Sequence, residues 1–211
     1  MNSGKSTALL QAAFNYEERG QQVLLAKPQI DTKGESLIVS RLGVSRPVDF
    51  TVGPDEDIYA AFTSQRERVL REFDVDVSCL LIDEAQFLSE GQVDDLLRIA
   101  ILEDVPVLAY GIRTDFQTVA FPGSRRLLEI AHSLEELKTI CRCGRKAMFN
   151  ARKVGGTFVF DGDQVAIDSG AVTYESLCGA CYLEESGGIL NNGWRPKVDF
   201  SYSGGPDADF S

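Results

Sequence analysis

The chain has 211 residues, of which 44% are hydrophobic, enough for one substantial core with a small appended subdomain. Its 32 acidic and 21 basic residues give a formal net charge of −11, which disfavours nucleic acid as a partner because most of the surface repels a polyanion. No run of about 18 apolar residues suits a membrane span, and no secretory signal is recognisable, so we expect a cytoplasmic protein with no membrane partner.

The sequence opens with residues typical of a phosphate-binding loop. Residues 3–7 read Ser-Gly-Lys-Ser-Thr and match the end of the pattern G-x-x-x-x-G-K-[ST]. In such a loop, backbone N–H groups and a helix start hold the phosphates, the lysine neutralises their charge, and the hydroxyl binds Mg²⁺. The predicted nucleotide contacts are Ser3, Gly4, Lys5, Ser6 and Thr7, with Lys5 on the phosphates and Ser6 on the metal.

The first part of that pattern is missing. Its first glycine would lie two residues upstream of Met1, and the strand that should precede the loop is absent from the sequence. Each buried polar group left without a partner costs about 1–3 kcal/mol. We therefore expect the chain to be less stable, and to bind ATP more weakly, than one that carries the upstream strand.

Helix and strand patterns then alternate. Leu9, Ala13 and Tyr16 lie at helical spacing before Gly20, and residues 23–26 predict a strand. Residues 27–51 show no sustained period and are interpreted as mostly loop, whereas residues 55–73 predict a helix. Predicted elements further along are a doubly covered strand at 77–82, a helix after a Ser89/Gln92 capping box, and a buried strand at 105–110.

This alternation predicts an α/β fold, a P-loop NTPase-like and mainly parallel sheet with helices on both faces. We assign this nucleotide-binding domain to residues 1–138. Short β-like pieces at 147–154, 157–160 and 164–167 then predict a small β-rich subdomain, assigned to residues 139–185. Residues 186–211 are rich in turn formers, and we expect a disordered tail.

Two adjacent carboxylates, Asp83 and Glu84, follow the apolar strand at 77–82. A carboxylate at the end of such a strand reaches Mg²⁺ in nucleotide sites, and a neighbouring one can accept the proton of an attacking hydroxyl. A helix-capping pair is the structural alternative. Gln86 and Phe87, and Phe116 on a later loop, could contact a planar ligand, although ordinary loop roles fit them equally well.

Four of the five cysteines form two close pairs, Cys141 with Cys143 and Cys178 with Cys181. Thiolates at this spacing suit tetrahedral Zn²⁺, and four protein ligands leave no open position for a reacting water. We predict a structural zinc site that ties together the ends of the β-rich subdomain. Buried free thiols are the alternative, and a disulfide is disfavoured in a cytoplasmic protein.

Taken together, these residues resemble the type II thymidine kinases, the zinc-containing cellular-type family, over nearly the whole chain to about residue 185. The segments that carry the resemblance are residues 1–7, 30–31, 40–43, 83–87, 110–116 and 138–141, with Tyr174 before Cys178. The resemblance implies transfer of the γ-phosphate of ATP, with Mg²⁺, to the 5′-hydroxyl of thymidine or deoxyuridine in nucleotide salvage. It also implies a homotetramer that thymidine triphosphate (dTTP) inhibits.

The resemblance further implies individual roles. Glu84 matches the catalytic base, and Asp83 matches a metal-handling position. Gln86 is counted with the nucleotide-binding residues and also matches a position around the thymidine pocket. Residues 165–174 resemble a lasso whose backbone holds the thymine edge. The predicted thymidine contacts are Met1, Phe87, Phe116, Val165, Ile167, Asp168, Ser169, Gly170 and Tyr174.

At one internal position the sequence departs from the family pattern. Lys33 stands where the family commonly has arginine, and this lysine replaces a bidentate contact by a point charge.

The chain could instead be a P-loop ATPase or another nucleoside kinase that shares the zinc subdomain. It could also be a non-catalytic zinc-ribbon interaction protein with a vestigial nucleotide site.

Overall fold

The protein is described from a computed structural model, which covers residues 4–29, 37–40, 43–164 and 172–188. A 3₁₀ turn, Ala85–Phe87, follows the fifth strand. The remaining elements, in chain order, are α1 (Lys5–Glu17), β1 (Gln22–Pro28), β2 (Leu37–Val39), β3 (Ser45–Pro47), β4 (Phe50–Val52), α2 (Ile58–Phe73), β5 (Val77–Ile82), α3 (Glu90–Leu102), β6 (Val107–Ala109), α4 (Pro122–Ile130), β7 (Thr139–Ile140), β8 (Lys146–Ala147), β9 (Phe149–Val154), β10 (Thr157–Val159), β11 (Val172–Leu177) and α5 (Gly179–Glu185).

The central sheet has the strand order β4-β1-β5-β6, and all three pairings are parallel. Side chains along β5 alternate between two cores. Leu80 and Ile82 pack with α2 and α3 residues on one face, whereas Cys79 and Leu81 pack with α1 residues on the other. This burial on both faces explains the continuous apolar run in the sequence. The predicted α/β class, a parallel sheet between helices, is confirmed.

Local signals set the ends of several helices. Gly20, at a φ of 74°, follows α1 as the sequence predicted. The Ser89/Gln92 capping box is present at the start of α3. The second helix begins at Ile58 rather than at 55, because the Asp57 side chain accepts the Ala60 N–H and caps the first turn.

Two predictions about the sheet need correction. In the described part of residues 27–51 strand predominates over loop, because β2 and β3 lie within this segment and β1 and β4 overlap its ends. The buried strand predicted at 105–110 is shorter, and Leu108 in β6 is 37% exposed. The physical reason is position, because β6 is an edge strand of the described sheet and its outer side has no described strand beside it.

The β-rich subdomain contains a second sheet, antiparallel and ordered β10-β9-β11, and a hairpin of β7 and β8. Helix α5, which the sequence pattern did not indicate, packs against β9 and β11. The strand predicted at 164–167 lies outside the described residues except for Gln164, and so do residues 189–211 of the predicted tail.

The described part of the chain contains no helix that is both long enough and apolar enough to cross a membrane.

Candidate functional site

The predicted phosphate loop and the predicted carboxylate pair meet at the carboxyl edge of the parallel sheet. Residues Asp83 and Glu84 follow β5 directly, and the Asp83 N–H donates to the carbonyl of Ala26 in neighbouring β1. The amino end of α1 faces the same edge, because Lys5 Nζ lies 3.8 Å from Glu84 Oε1. Parallel α/β sheets place their ligands at this edge.

The Lys5 and Glu84 side chains differ in their access to solvent. The Lys5 side chain is 12% exposed, whereas the Glu84 side chain is 36% exposed. An ammonium that is this well shielded acts on a nearby anion through a lower dielectric than a surface lysine does. The arrangement places a shielded cation beside a more accessible carboxylate.

Among the described residues, no side chain caps the first turn of α1. Gly4 caps the helix at a φ of 71°, in the left-handed region, and it makes no side-chain bond to the first turn. The first N–H groups of a helix have no partner within it, and the helix dipole favours negative charge there. Ser6 and Thr7 lie in this turn and are partly buried. The start of α1 can therefore hold a phosphate group.

Asp83 is a buried carboxylate, 5% exposed, whose Oδ1 accepts the Glu84 N–H at 3.0 Å. Burial raises its pKa, and the Glu84 charge adds to this, while the Glu84 N–H and the charges of Lys5 and Lys27 oppose it. A divalent cation beside Asp83 would offset the free-energy cost of burying its negative charge. The carboxylate of Asp83 and the hydroxyl of Ser6 are oxygen donors of the kind that Mg²⁺ prefers, so these residues fit such an ion.

Glu84 adopts a φ of 52°, which is uncommon for a residue other than glycine. Strained backbone of this kind persists where surrounding contacts fix it. Here the next residue is anchored, because the Ala85 N–H donates to the Tyr110 carbonyl at 2.9 Å. The strain therefore belongs to a turn that directs the Glu84 side chain back over the sheet edge toward Lys5.

Gln86 is 1% exposed, and both ends of its side-chain amide are bonded within the protein. Its Nε2 donates to Glu84 Oε2, and its Oε1 accepts the Ile112 N–H at 3.2 Å. The sequence predicted that Gln86 contacts a ligand. That contact stays a prediction, and the hydrogen bonds of Gln86 within the protein hold the neighbouring carboxylate.

An open cavity of about 560 Å³ adjoins these residues, within the range of small-molecule sites. Two aromatic rings shape it: Phe87 and Phe121 meet edge to face, with centroids 5.4 Å apart. The sequence predicted Phe87 but not Phe121, which precedes the Pro122-Gly123 start of α4. Gln86 also lines the cavity and links it to Glu84. The other lining residues are Pro54, Leu88, Ser89, Glu90, Gly91, Pro122 and Gln164.

Phe116 and Tyr174, two predicted thymidine contacts, meet at Arg152 instead of lining that cavity. Phe116 is 1% exposed, and the Arg152 guanidinium carbon lies 3.6 Å from the centre of its ring. Arg152 Nε donates to the Tyr174 hydroxyl at 3.3 Å, and Nη2 donates to the Gln164 carbonyl at 3.0 Å. Sequence reasoning missed Arg152. The available signal was an arginine at the centre of a strand, where burial calls for partners.

The four predicted zinc ligands come together. Their sulfurs all lie within 4.8 Å of one another, and the Cys143 and Cys178 sulfurs are 3.5 Å apart. Tetrahedral zinc with Zn–S bonds of about 2.3 Å requires S–S separations of about 3.8 Å, so these residues fit zinc. The β7–β8 hairpin carries Cys141 and Cys143, and the start of α5 carries the other pair. Cys79 is elsewhere, buried in β5.

Several predicted contacts lie outside the described residues. They are Met1, Ser3, Val165, Ile167, Asp168, Ser169 and Gly170, and Lys33 lies outside as well.

Comparison with known proteins gives one consistent result. A family described as "Thymidine kinase" matches residues 1–182. A thymidine kinase of Legionella pneumophila (strain Paris) is 46% identical over 194 residues, which cover 89% of this chain and 88% of that protein. One of Idiomarina loihiensis is 48% identical, with 89% and 94% covered. The thymidine kinase of Enterobacteria phage T4 is 45% identical, with 84% and 89% covered.

Proposed function

This chain belongs to the thymidine kinase family, whose members phosphorylate thymidine at the expense of ATP, and we propose that Glu84 is the base of that transfer. The reaction serves nucleotide salvage. The observation that carries the proposal is the position of the Glu84 carboxylate, 3.8 Å from the Lys5 ammonium and 36% exposed. A phosphate held by Lys5 would thus have a proton acceptor beside it.

The nucleotide occupies the start of α1. The N–H groups of its first turn and the Lys5 ammonium bind the β- and γ-phosphates, with further contacts from Ser3, Gly4 and Thr7. Mg²⁺, held by Ser6 and Asp83, supplies charge neutralisation on the phosphates when it is bound. Catalysis by this chain is then chiefly a matter of holding the phosphate and the acceptor hydroxyl in line.

The thymidine 5′-hydroxyl lies against Glu84. As its oxygen forms a bond to the γ-phosphorus, the bond from that phosphorus to the bridging oxygen breaks, and ADP leaves. The Glu84 carboxylate takes the hydroxyl proton, and Lys5 stabilises the negative charge on the transferring group. The products are thymidine monophosphate and ADP.

The nucleoside occupies the cavity beside Gln86, with its base against the aromatic surface that Phe87 and Phe121 form together. Flat aromatic walls suit a pyrimidine ring, and they do not distinguish thymine strongly from uracil, so deoxyuridine is a second substrate. Residues 165–174 close the site through backbone contacts to the thymine edge, a proposal that the resemblance supports. Arg152 supports that segment by bonding Gln164, which precedes it, and Tyr174, its last residue.

The assembly and regulation proposed for the chain follow from the family resemblance. They are a cytoplasmic homotetramer, with dTTP as a feedback inhibitor that competes at the same site. The cysteine cluster holds zinc in a structural role. It fixes the β9–β11 sheet, whose residues Asn150 and Arg152 contact the loop around Phe116.

A coupled assay of ADP release with thymidine, deoxyuridine or no nucleoside tests the function. The proposal expects ADP release that depends on either nucleoside and yields the monophosphate. Equal ADP release without nucleoside would identify an ATPase, and no turnover with any nucleoside would favour a binding protein; either result contradicts the proposal.

A further inference from the structure

We infer that Gln86 is a positioning residue that fixes the Glu84 carboxylate for proton transfer, an inference that rests on the proposed role of Glu84 as the base. Four observations lead to it. They are the orientation of the Gln86 amide, the division of the Glu84 oxygens, the backbone packed behind Gln86, and its near-complete burial.

The backbone fixes the orientation of the Gln86 amide. The Ile112 N–H can only donate, so the Gln86 atom that faces it must be the acceptor Oε1. The other end of the amide is then Nε2, a donor, and it meets Glu84 Oε2. A carboxylate can only accept when it is ionised, so the amide matches the form of Glu84 that acts as a base.

This contact gives the two Glu84 carboxylate oxygens different partners. Oε2 is held by the Gln86 amide, and Oε1 is the oxygen that faces Lys5 at 3.8 Å. A glutamate side chain that is 36% exposed would otherwise sample several rotamers. With Oε2 anchored, Oε1 stays directed toward Lys5, where the phosphate and the hydroxyl are proposed to meet.

The backbone packs closely around Gln86. A Cβ at Gly111 would lie 2.9 Å from Gln86 Oε1, and a Cβ at Gly123 would lie 2.6 Å from the Ala85 carbonyl oxygen. Ser124, beside Gly123, donates its hydroxyl to the Ile112 carbonyl at 2.6 Å. Glycine at these two positions therefore permits a close packing that would exclude any side chain.

The matched experiment compares two buried glutamines. Gln86→Met keeps the side-chain volume and removes both hydrogen bonds, while Gln86→Glu keeps an acceptor for Ile112 but cannot donate to Glu84. Gln92→Met is the control for loss of a buried amide, because the Gln92 amide is also bonded at both ends, to Ser89 and to the 53–56 loop, and these bonds do not involve Glu84. Melting temperature, kcat and both KM values are measured for each.

We expect both Gln86 variants to lower kcat by about tenfold to a hundredfold, the range of one hydrogen bond to a charged group, with the KM of ATP nearly unchanged. Gln92→Met lowers the melting temperature and leaves kcat unaltered. Gly111→Ala reproduces the loss of kcat, since its methyl group displaces the Gln86 amide. A raised KM for ATP with unchanged kcat would make Gln86 a nucleotide contact and overturn the inference.

A double-mutant cycle with Glu84→Ala separates this inference from the function on which it rests. If Gln86 acts through Glu84, Gln86→Met has no further effect on the residual kcat of Glu84→Ala. An equal loss of kcat in both backgrounds would show that Gln86 acts independently of Glu84. That result would overturn the inference and leave the role of Glu84 as the base intact. Full activity of Glu84→Ala would overturn the role of the base itself.

Discussion

The Lys5 ammonium and the Glu84 carboxylate face each other at 3.8 Å across the carboxyl edge of the parallel sheet. The two residues are far apart in sequence, and they meet because α1 starts and β5 ends at the same edge. At this distance each partially neutralises the other. A bound phosphate would attract the lysine and leave the carboxylate free to accept a proton.

Replacing Lys5 by methionine tests the phosphate side of this pair. Lys5→Met should raise the KM of ATP and lower kcat, each by about tenfold or more, because a charge-assisted bond to the transferring phosphate is lost. The KM of thymidine should change little. Lys27→Met is the comparison, since the Lys27 charge also acts on Asp83 while its ammonium donates to the Leu37 carbonyl. A smaller effect of Lys5→Met than of Lys27→Met would contradict the assignment.

The ionised Asp83 carboxylate should lower the free energy of unfolding, although activity requires it. Because burial raises its folded-state pKa, folding disfavours the ionised form, and the carboxylate destabilises the fold at pH values above that pKa. Asp83→Asn should therefore raise the melting temperature at pH 7 in the absence of Mg²⁺ and abolish most activity. The gain should shrink as the pH falls through the folded-state pKa, where the wild-type carboxyl becomes neutral. A lower melting temperature at pH 7 would refute this.

Zinc should stabilise the β-rich subdomain. We expect one zinc per chain by atomic absorption, and a fall of several degrees in melting temperature when a chelator removes it. Cys143→Ser should lose the metal and weaken thymidine binding, because β9 supports the loop around Phe116. The control is Cys79→Ala, which lies outside the cluster and should retain one zinc. Equal zinc content in both variants would contradict the site.

Arg152 should affect the nucleoside rather than the nucleotide. Its guanidinium bonds Tyr174 and Gln164 and covers Phe116, and lysine cannot make this set of planar contacts. Arg152→Lys should raise the KM of thymidine about tenfold and leave the KM of ATP unaltered. Neighbouring Lys153, which pairs with Glu175, provides the control Lys153→Met. An equal change in the KM of thymidine and the KM of ATP would indicate a general effect on the structure and would contradict this prediction.

The sequence indicated the elements whose signals are local or periodic. The apolar run of β5 reports burial on both faces, the capping box fixes the start of α3, and the cysteine pairs predict the metal cluster. Each of these signals is contained within a few residues, or depends on a donor type that has few other uses.

What sequence reasoning missed depends on tertiary context. Strands of three residues, such as β2, β3 and β4, are too short to display a period of two. The exposure of Leu108 follows from the order of strands in the sheet, which no single segment encodes. Arg152 and Phe121 acquire their roles only when the β-rich subdomain and α4 fold back toward the sheet edge.

The most direct test of the central claim is the turnover of Glu84→Gln, measured with binding of both substrates by calorimetry. Glutamine keeps the shape of the side chain and cannot accept the proton. The account predicts unchanged melting temperature, retained affinity for ATP and thymidine, and a kcat reduced by about 10²- to 10⁴-fold. A Glu84→Gln enzyme that keeps wild-type kcat would contradict it.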